Sequence, residues 1–505
     1  MRIYSAQAVA WGPPGLGSSL SRSCALTMVS TKQICRDRLV VCDPDDGDVV
    51  GETDLTTVSD VDRMLDIGYR ASRQQPPAIY ERVRILQEVA GRVAAEAECH
   101  AHLIAREGIK TIREARAEVK RAIETLRLSA EQAKQNVGSV IPFDQVPAGE
   151  GRLGWWANRP AGLVIAITPY NDPLNLVAHK LGPAFAAGCP IILKPHPQTP
   201  FSAIRLVEHF LASGASEHRI QIVVGAADVG GMLVADPRPR IISFTGGREA
   251  GERIAHRSGV KRLLLELGGV GIVVVAADAN VEAAAQSINS GAFWAAGQNC
   301  VRAQRIIADD RVVAELTERL VARAAGIRLG RKIEETTDIG PLVDTALASS
   351  LHRSVQDMVR AGAAVLCGGE IDGPRMRPTW VAGLQGGHPL LGSELFGPVS
   401  TIETAQDDSG LLGRIQDGPA AIHLAVFTQS ISMATAAFER ANAAAVIIND
   451  STDFRIDAMP FGGVGAAGLG REGVADAISA MSEKKLLIIA ESRMIAGGLS
   501  NGGLV

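Results

Sequence analysis

The stretch that decides the fold is "GLVIAITPYNDPLNLVAHKLGPAFAAGCPIILKP", residues 162–195. Two short runs within it, "GLVIAIT" (162–168) and "PIILKP" (190–195), are apolar almost throughout. They lack the alternation of a half-wetted strand, so they predict strands covered on both faces. Between them, "PLNLVAHKLGPAFAAG" (173–188) predicts a helix. An apolar strand, a helix and another apolar strand imply a parallel sheet with helices on both faces, whose ligands bind at the carboxyl ends of the strands.

The same texture continues outward in "SAIRLVEHFLASG" (202–214), "IQIVVG" (220–225), "RIISFTGG" (240–247) and "RLLLELGG" (262–269). A second series starts at "GIVVVAADAN" (271–280) and runs on through "AVLCGG", "IHLAVFTQ" and "AAVIIND", which predicts a second α/β domain. Upstream, from about 60 to 135, "YERVRILQEVAGRVAAEAECHAHLIAREG" and "IREARAEVKRAIETLRLSAEQA" read as two long amphipathic helices. The segment 136–158 and the tail "KKLLIIAE" (484–491) fall outside both series, as strands seeking a sheet elsewhere. The expected division is a flexible extension over 1–35, a cofactor domain over 36–135 and 159–269, a catalytic domain over 270–470, and an arm from 136–158 and 478–495.

Composition narrows the function. The chain has 505 residues, 46% hydrophobic and 21% charged, with a formal net charge of −4. Such a near balance carries no basic stripe for nucleic acid, and no apolar run is long enough to predict a membrane helix. A small-molecule partner is the remaining class. The seven cysteines are odd in number and never spaced CxxC or CxxH, so neither a disulfide framework nor a metal site is expected, and a reducing cytoplasm fits. The opening 30 residues lack a compact apolar core behind a basic start and do not read as a signal peptide; Met28 is an alternative start.

Four segments could carry chemistry. Cys300, in "SGAFWAAGQNCVRAQR" (290–305), is either a small buried thiol or a nucleophile. Glu266 ends an apolar strand and is either exposed there or a base with a raised pKa. Asn171 is either part of an Asn-Asp-Pro turn or an amide donor to an oxyanion. Gly246 and Gly247, between a strand and a helix, suit backbone amides near a pyrophosphate.

These segments occur in one order: "TPYN", "LKP", "FTGG", "ELGG", "GQNC", "ELFGPV", "PFGGVGAAGLGREG". The ordered set resembles the aldehyde dehydrogenase superfamily from about residue 38 to 492, nearest to its lactaldehyde, non-phosphorylating glyceraldehyde-3-phosphate and phosphonoaldehyde branch. The resemblance implies a Rossmann-type cofactor domain, an α/β catalytic domain and a small bridging β-sheet that joins subunits into a homodimer or homotetramer. It implies Cys300 as nucleophile, Asn171 as oxyanion donor and Glu266 as general base. Because CoA-acylating relatives typically lack that glutamate, water is the implied acyl acceptor; the acylating reaction and a non-catalytic binding protein are the alternatives.

For NAD or NADP the resemblance implies Thr168, Pro169, Tyr170, Lys194, Gly246, Gly247, Leu267, Glu394 and Phe396. In "KPHPQTP", Pro197 stands where NAD-preferring members often carry a glutamate, so NADP becomes admissible. Arg121, Asn299 and Arg455 are the implied substrate-binding positions, and the two arginines suit a carboxylate, phosphate or phosphonate. Several positions depart from the pattern: Asn299 replaces a frequent arginine, Asp172 adds a negative charge beside Asn171, and Gly465 replaces a common lysine. Arg302 either compensates for the first or faces away.

Overall fold

The computed structural model describes residues 38–490, so the extension expected over 1–35 and the last residues of the 478–495 segment lie outside the described residues. Strands Val164–Ile167 and Ile191–Lys194 pair in parallel, and the helix Asn175–Ala187 between them is buried at every position. That helix has no wet face because it is packed by helices Ile112–Ala133 and Val474–Ala480 as well as by the sheet. Its end is set by Gly188 at φ 85°, a left-handed turn that glycine adopts without strain.

The first sheet has six strands in the order Gly468–Leu469, Arg262–Leu267, Ile241–Gly246, Val164–Ile167, Ile191–Lys194, Ile220–Ile222. All but the first pairing are parallel. The second sheet has seven strands, ordered Ala364–Cys367, Thr379–Ala382, Val399–Ala405, Ala303–Asp309, Gly271–Val275, Ala421–Phe427, Ala443–Ile448, and only the Ala364–Cys367 edge is antiparallel. A third, antiparallel sheet joins Ser482–Ala490, Arg152–Pro160 and Gly138–Ile141. Val140, Leu153, Trp155, Leu486, Leu487 and Ile488 on these strands are exposed.

Two expectations change. The first long helical run is two helices, Ile79–Ala95 and Ala97–Glu107, broken at Glu96, whose backbone leaves helical geometry and whose carboxylate is taken by Arg205 at 2.6 Å. Gly468–Leu469, read with the second domain, instead pairs with Glu266 and Leu265 of the first sheet. Glycine permits that approach, since a Cβ on Gly468 would lie 2.6 Å from the Leu265 carbonyl oxygen. Among the described residues, Cys42, Cys189, Cys300 and Cys367 are free thiols. Among the described residues no helix is long and apolar enough to cross a membrane.

Candidate active site

The carboxyl ends of the first sheet carry two of the expected groups. Thr168 to Asn171 follow strand Val164–Ile167, and Glu266 is the penultimate residue of Arg262–Leu267. The loop before strand Ala303–Asp309 of the second sheet brings Cys300 to them. Asn171, Glu266, Asn299, Cys300, Arg121 and Arg455 all line one cleft.

The loop is held in an unusual shape. Ala295, Ala296 and Gly297 are consecutively left-handed, at φ 52°, 53° and 69°. For the alanines this costs about 1–2 kcal/mol each, so the fold must compel it. Part of that compulsion is Glu114, a buried carboxylate of the Thr111 capping box, which accepts from the Ala295 N–H at 2.8 Å. At Gly297 a Cβ would stand 2.3 Å from the Gly397 carbonyl oxygen, which excludes any other residue. Gln298, fully buried, anchors the rest. Its Nε2 donates to the carbonyls of Ala295 and Pro341, its Oε1 accepts from Val343 N–H and from Tyr170 Oη, and its carbonyl accepts from Asn171 Nδ2 at 3.0 Å. One Asn171 N–H is thereby used for positioning, and the amide's second N–H remains for another acceptor.

Cys300 and Glu266 act on each other's ionisation. Burial pushes the Cys300 thiol well up, and the Glu266 carboxylate raises it further, while Arg455 draws it down. Burial likewise pushes Glu266 up to about 8, helped by Glu472 and opposed by Arg455. One carboxyl oxygen of Glu266 is buried without a hydrogen-bond partner. The pair is therefore a proton-holding thiol beside a carboxyl that exchanges its proton near neutral pH.

The charged wall of the cleft divides into paired and unpaired groups. Arg121 donates to Asp457 at 2.9 Å and reaches Asp172 at 3.5 Å, and Lys110 binds Asp172 and Glu118. Asp457 also holds His179 at 2.8 Å and is kept well below the usual carboxylate range by His179 and Arg121 despite its burial. The negative charge that Asp172 adds is thus spent on Lys110 and Arg121. Arg455 is different: its guanidinium stacks on Phe461, 3.5 Å from the ring centroid, meets His179 at 3.3 Å, and has a buried Nε without a partner. No carboxylate among the described residues forms an ion pair with it. Arg302 faces away, donating to the carbonyls of Val399 and Leu395, to Ser400 Oγ and to Gln304.

The expected cofactor residues form a second group. Gly247 caps helix Arg248–Arg257, and open space surrounds the point where its Cβ would be. Helix N–H groups and dipole favour a phosphate there. Gly246 ends the preceding strand over the Phe244 ring. Lys194 is buried, has no ion-pair partner among the described residues, and is lowered to about 8 by desolvation. Glu394 is pushed up to about 7 by burial, keeps one oxygen unpartnered, and fits only because Gly268 has no Cβ, which would stand 1.9 Å from its other oxygen. Thr168 Oγ1 is also buried and unpartnered. Tyr170 packs edge-on to Phe396 at 6.1 Å, Pro169 lies between Thr168 and Tyr170, and Leu267 packs against Gly251. A phosphate cradle, an unpaired cation and orphaned acceptors suit a dinucleotide.

Sequence reading passed over Gln298 and Glu114 as positioning groups, and Asp453 and Trp294 as part of the cleft wall. Glu114 carried a signal, since Thr111-x-x-Glu114 is a capping box; the others gave none.

The chain is similar to known proteins over nearly all its described length. The profile described as "Aldehyde dehydrogenase family" matches residues 30–487. Aspartate-semialdehyde dehydrogenase 1 of Pseudomonas canavaninivorans is 39% identical over 458 residues, 90% of this chain and 97% of that protein. Aldehyde dehydrogenase 21 from Physcomitrella patens, solved in complex with the reaction product succinate, superposes with a TM-score of 0.87 at 30% identity, covering 92% of this chain and 97% of its own. Glyceraldehyde-3-phosphate dehydrogenase from Methanocaldococcus jannaschii, complexed with NADP, gives a TM-score of 0.86 at 32% identity, with 90% and 100% covered.

Proposed function

The chain belongs to the aldehyde dehydrogenase family, and from that premise we propose that it oxidises a small anionic aldehyde to the carboxylic acid, with NAD or NADP as hydride acceptor and water as acyl acceptor. The observation that carries the proposal is the meeting of Cys300, Glu266, Asn171 and an unpaired Arg455 in one cleft. The relatives' printed names support the substrate class, because aspartate semialdehyde, glyceraldehyde 3-phosphate and the precursor of succinate all carry an anionic group.

The steps follow from the residues. Cys300 Sγ attacks the aldehyde carbon as its proton passes to Glu266, so that a carbon–sulfur bond forms and the carbonyl becomes an oxyanion. The free N–H of Asn171 Nδ2 and the Cys300 backbone N–H stabilise that oxygen. When bound, a nicotinamide would supply the hydride acceptor by which the Cys300 adduct's carbon is oxidised to the thioester level. Glu266 gives the thiol's proton up to solvent and then takes one from water, which adds to the thioester carbon; the carbon–sulfur bond breaks, the acid leaves, and Glu266 returns its proton to the Cys300 sulfur. Lys194 and the end of helix Arg248–Arg257 would hold the adenosine and phosphates, and Glu394 the nicotinamide ribose. Arg455 holds the substrate's anion.

The test is formation of reduced nicotinamide with a panel of neutral, carboxylated, phosphorylated and phosphonylated aldehydes, each with NAD and NADP. Turnover should favour the anionic members, and Cys300→Ser should abolish it while cofactor still binds by fluorescence titration. Turnover that survives Cys300→Ser refutes the nucleophile.

A further inference from the structure

Most charges lining the cleft neutralise one another. Lys110, Arg121 and Asp172 form one compensated set, and Glu266 faces the thiol. Two charges are left over. One is Arg455, described above. The other is Asp453, two residues earlier on the same segment, which forms no ion pair among the described residues although it lines the cleft. Its place is prepared by Gly291: a Cβ there would stand 2.6 Å from Asp453 Oδ1 and 2.1 Å from Ser451 Oγ. Burial holds its carboxyl up at about 6, so at neutral pH it is an anion lacking a counter-charge. Trp294, whose indole could face a cation, lines the same cleft.

A carboxylate without a counter-charge in a partly desolvated wall is costly even with the Ser451 hydroxyl and a backbone N–H beside it, and strongly perturbed groups of this kind gather where a ligand supplies the opposite charge. A purely anionic substrate would satisfy Arg455 and leave Asp453 uncompensated, besides being repelled by it. From this pairing we infer that the preferred substrate is a zwitterion, an α-amino acid whose side chain ends in the aldehyde. Arg455 receives its carboxylate, and Asp453 with Trp294 receives its ammonium. This inference rests on the dehydrogenase reading above and narrows its substrate class.

Three aldehydes of equal backbone test it: L-aspartate semialdehyde carries both charges, succinate semialdehyde lacks the ammonium, and 3-aminopropanal lacks the carboxylate. The kcat/KM for the first should exceed each of the others by about tenfold or more, as expected when a charged hydrogen-bonding partner is lost. In Asp453→Asn the ratio between aspartate and succinate semialdehydes should collapse toward unity, and Asp453→Glu should restore part of it. Cofactor titration checks that each variant is folded. Succinate semialdehyde used as well as the amino acid, or a ratio untouched by Asp453→Asn, overturns the zwitterion while leaving the dehydrogenase intact. No reduced nicotinamide from any of the three, or from propanal, with either cofactor removes both readings.

Discussion

Glutamine at position 266 keeps the shape of glutamate and deletes its proton chemistry. With Glu266 pushed up to about 8, only about a tenth of the molecules carry the base near pH 7 and about nine-tenths near pH 9. The wild-type kcat/KM should therefore climb roughly tenfold across that interval. In Glu266→Gln the climb should vanish and the upper rate fall by roughly 10²–10⁴, the usual contribution of a positioned base. Stopped-flow appearance of reduced nicotinamide at saturating cofactor reads both. Because the Cys300 thiol is raised too, its ionisation is followed separately by the pH dependence of alkylation with iodoacetamide. A slope that persists unchanged in Glu266→Gln assigns the titration to the thiol and refutes the base. Stability supplies an independent sign. The folded-state pKa of Glu266 lies above the ordinary 4.5, so its contribution is fully present below about pH 4.5 and is lost as pH rises through about 8. Glu266→Gln should accordingly resist denaturation better than wild type at alkaline pH, with the gap closing toward acid.

Pro197→Glu should raise the NAD-to-NADP ratio of kcat/KM by about tenfold or more, since a carboxylate at that turn beside Lys194 would meet a 2′-phosphate as a like charge; an unchanged ratio rejects Pro197 as a determinant of cofactor choice. Asp substituted at both Leu486 and Ile488, exposed on the three-stranded sheet, should shift the elution of the protein in size-exclusion chromatography from a dimer or tetramer to a monomer. Wild type that already elutes as a monomer removes the arm's proposed role.

The sheets were legible where apolar runs are short and bounded by glycine or proline, as at 164–167 and 191–194. They were illegible where the chain returns from far away. Gly468–Leu469 pairs beside Glu266 across about two hundred residues of sequence, and two residues carry no periodicity. The proposed trio was legible for a different reason: taken singly, Cys300, Glu266 and Asn171 each left a structural reading open, and the fixed order of the segments around them, with the family they resemble, decided between the readings. The substrate wall had no such guide. Asp172, Asp453 and Asp457 look alike as letters, and only geometry separates the two that are neutralised by Lys110, Arg121 and His179 from the one that is not. Whether a charge is available to a ligand depends on what the fold has already paired with it, which is a property of contacts between distant segments. Arg121 and Arg455, equal candidates by residue type, part company for the same reason: the first is held by two carboxylates and the second only by an aromatic ring and a histidine.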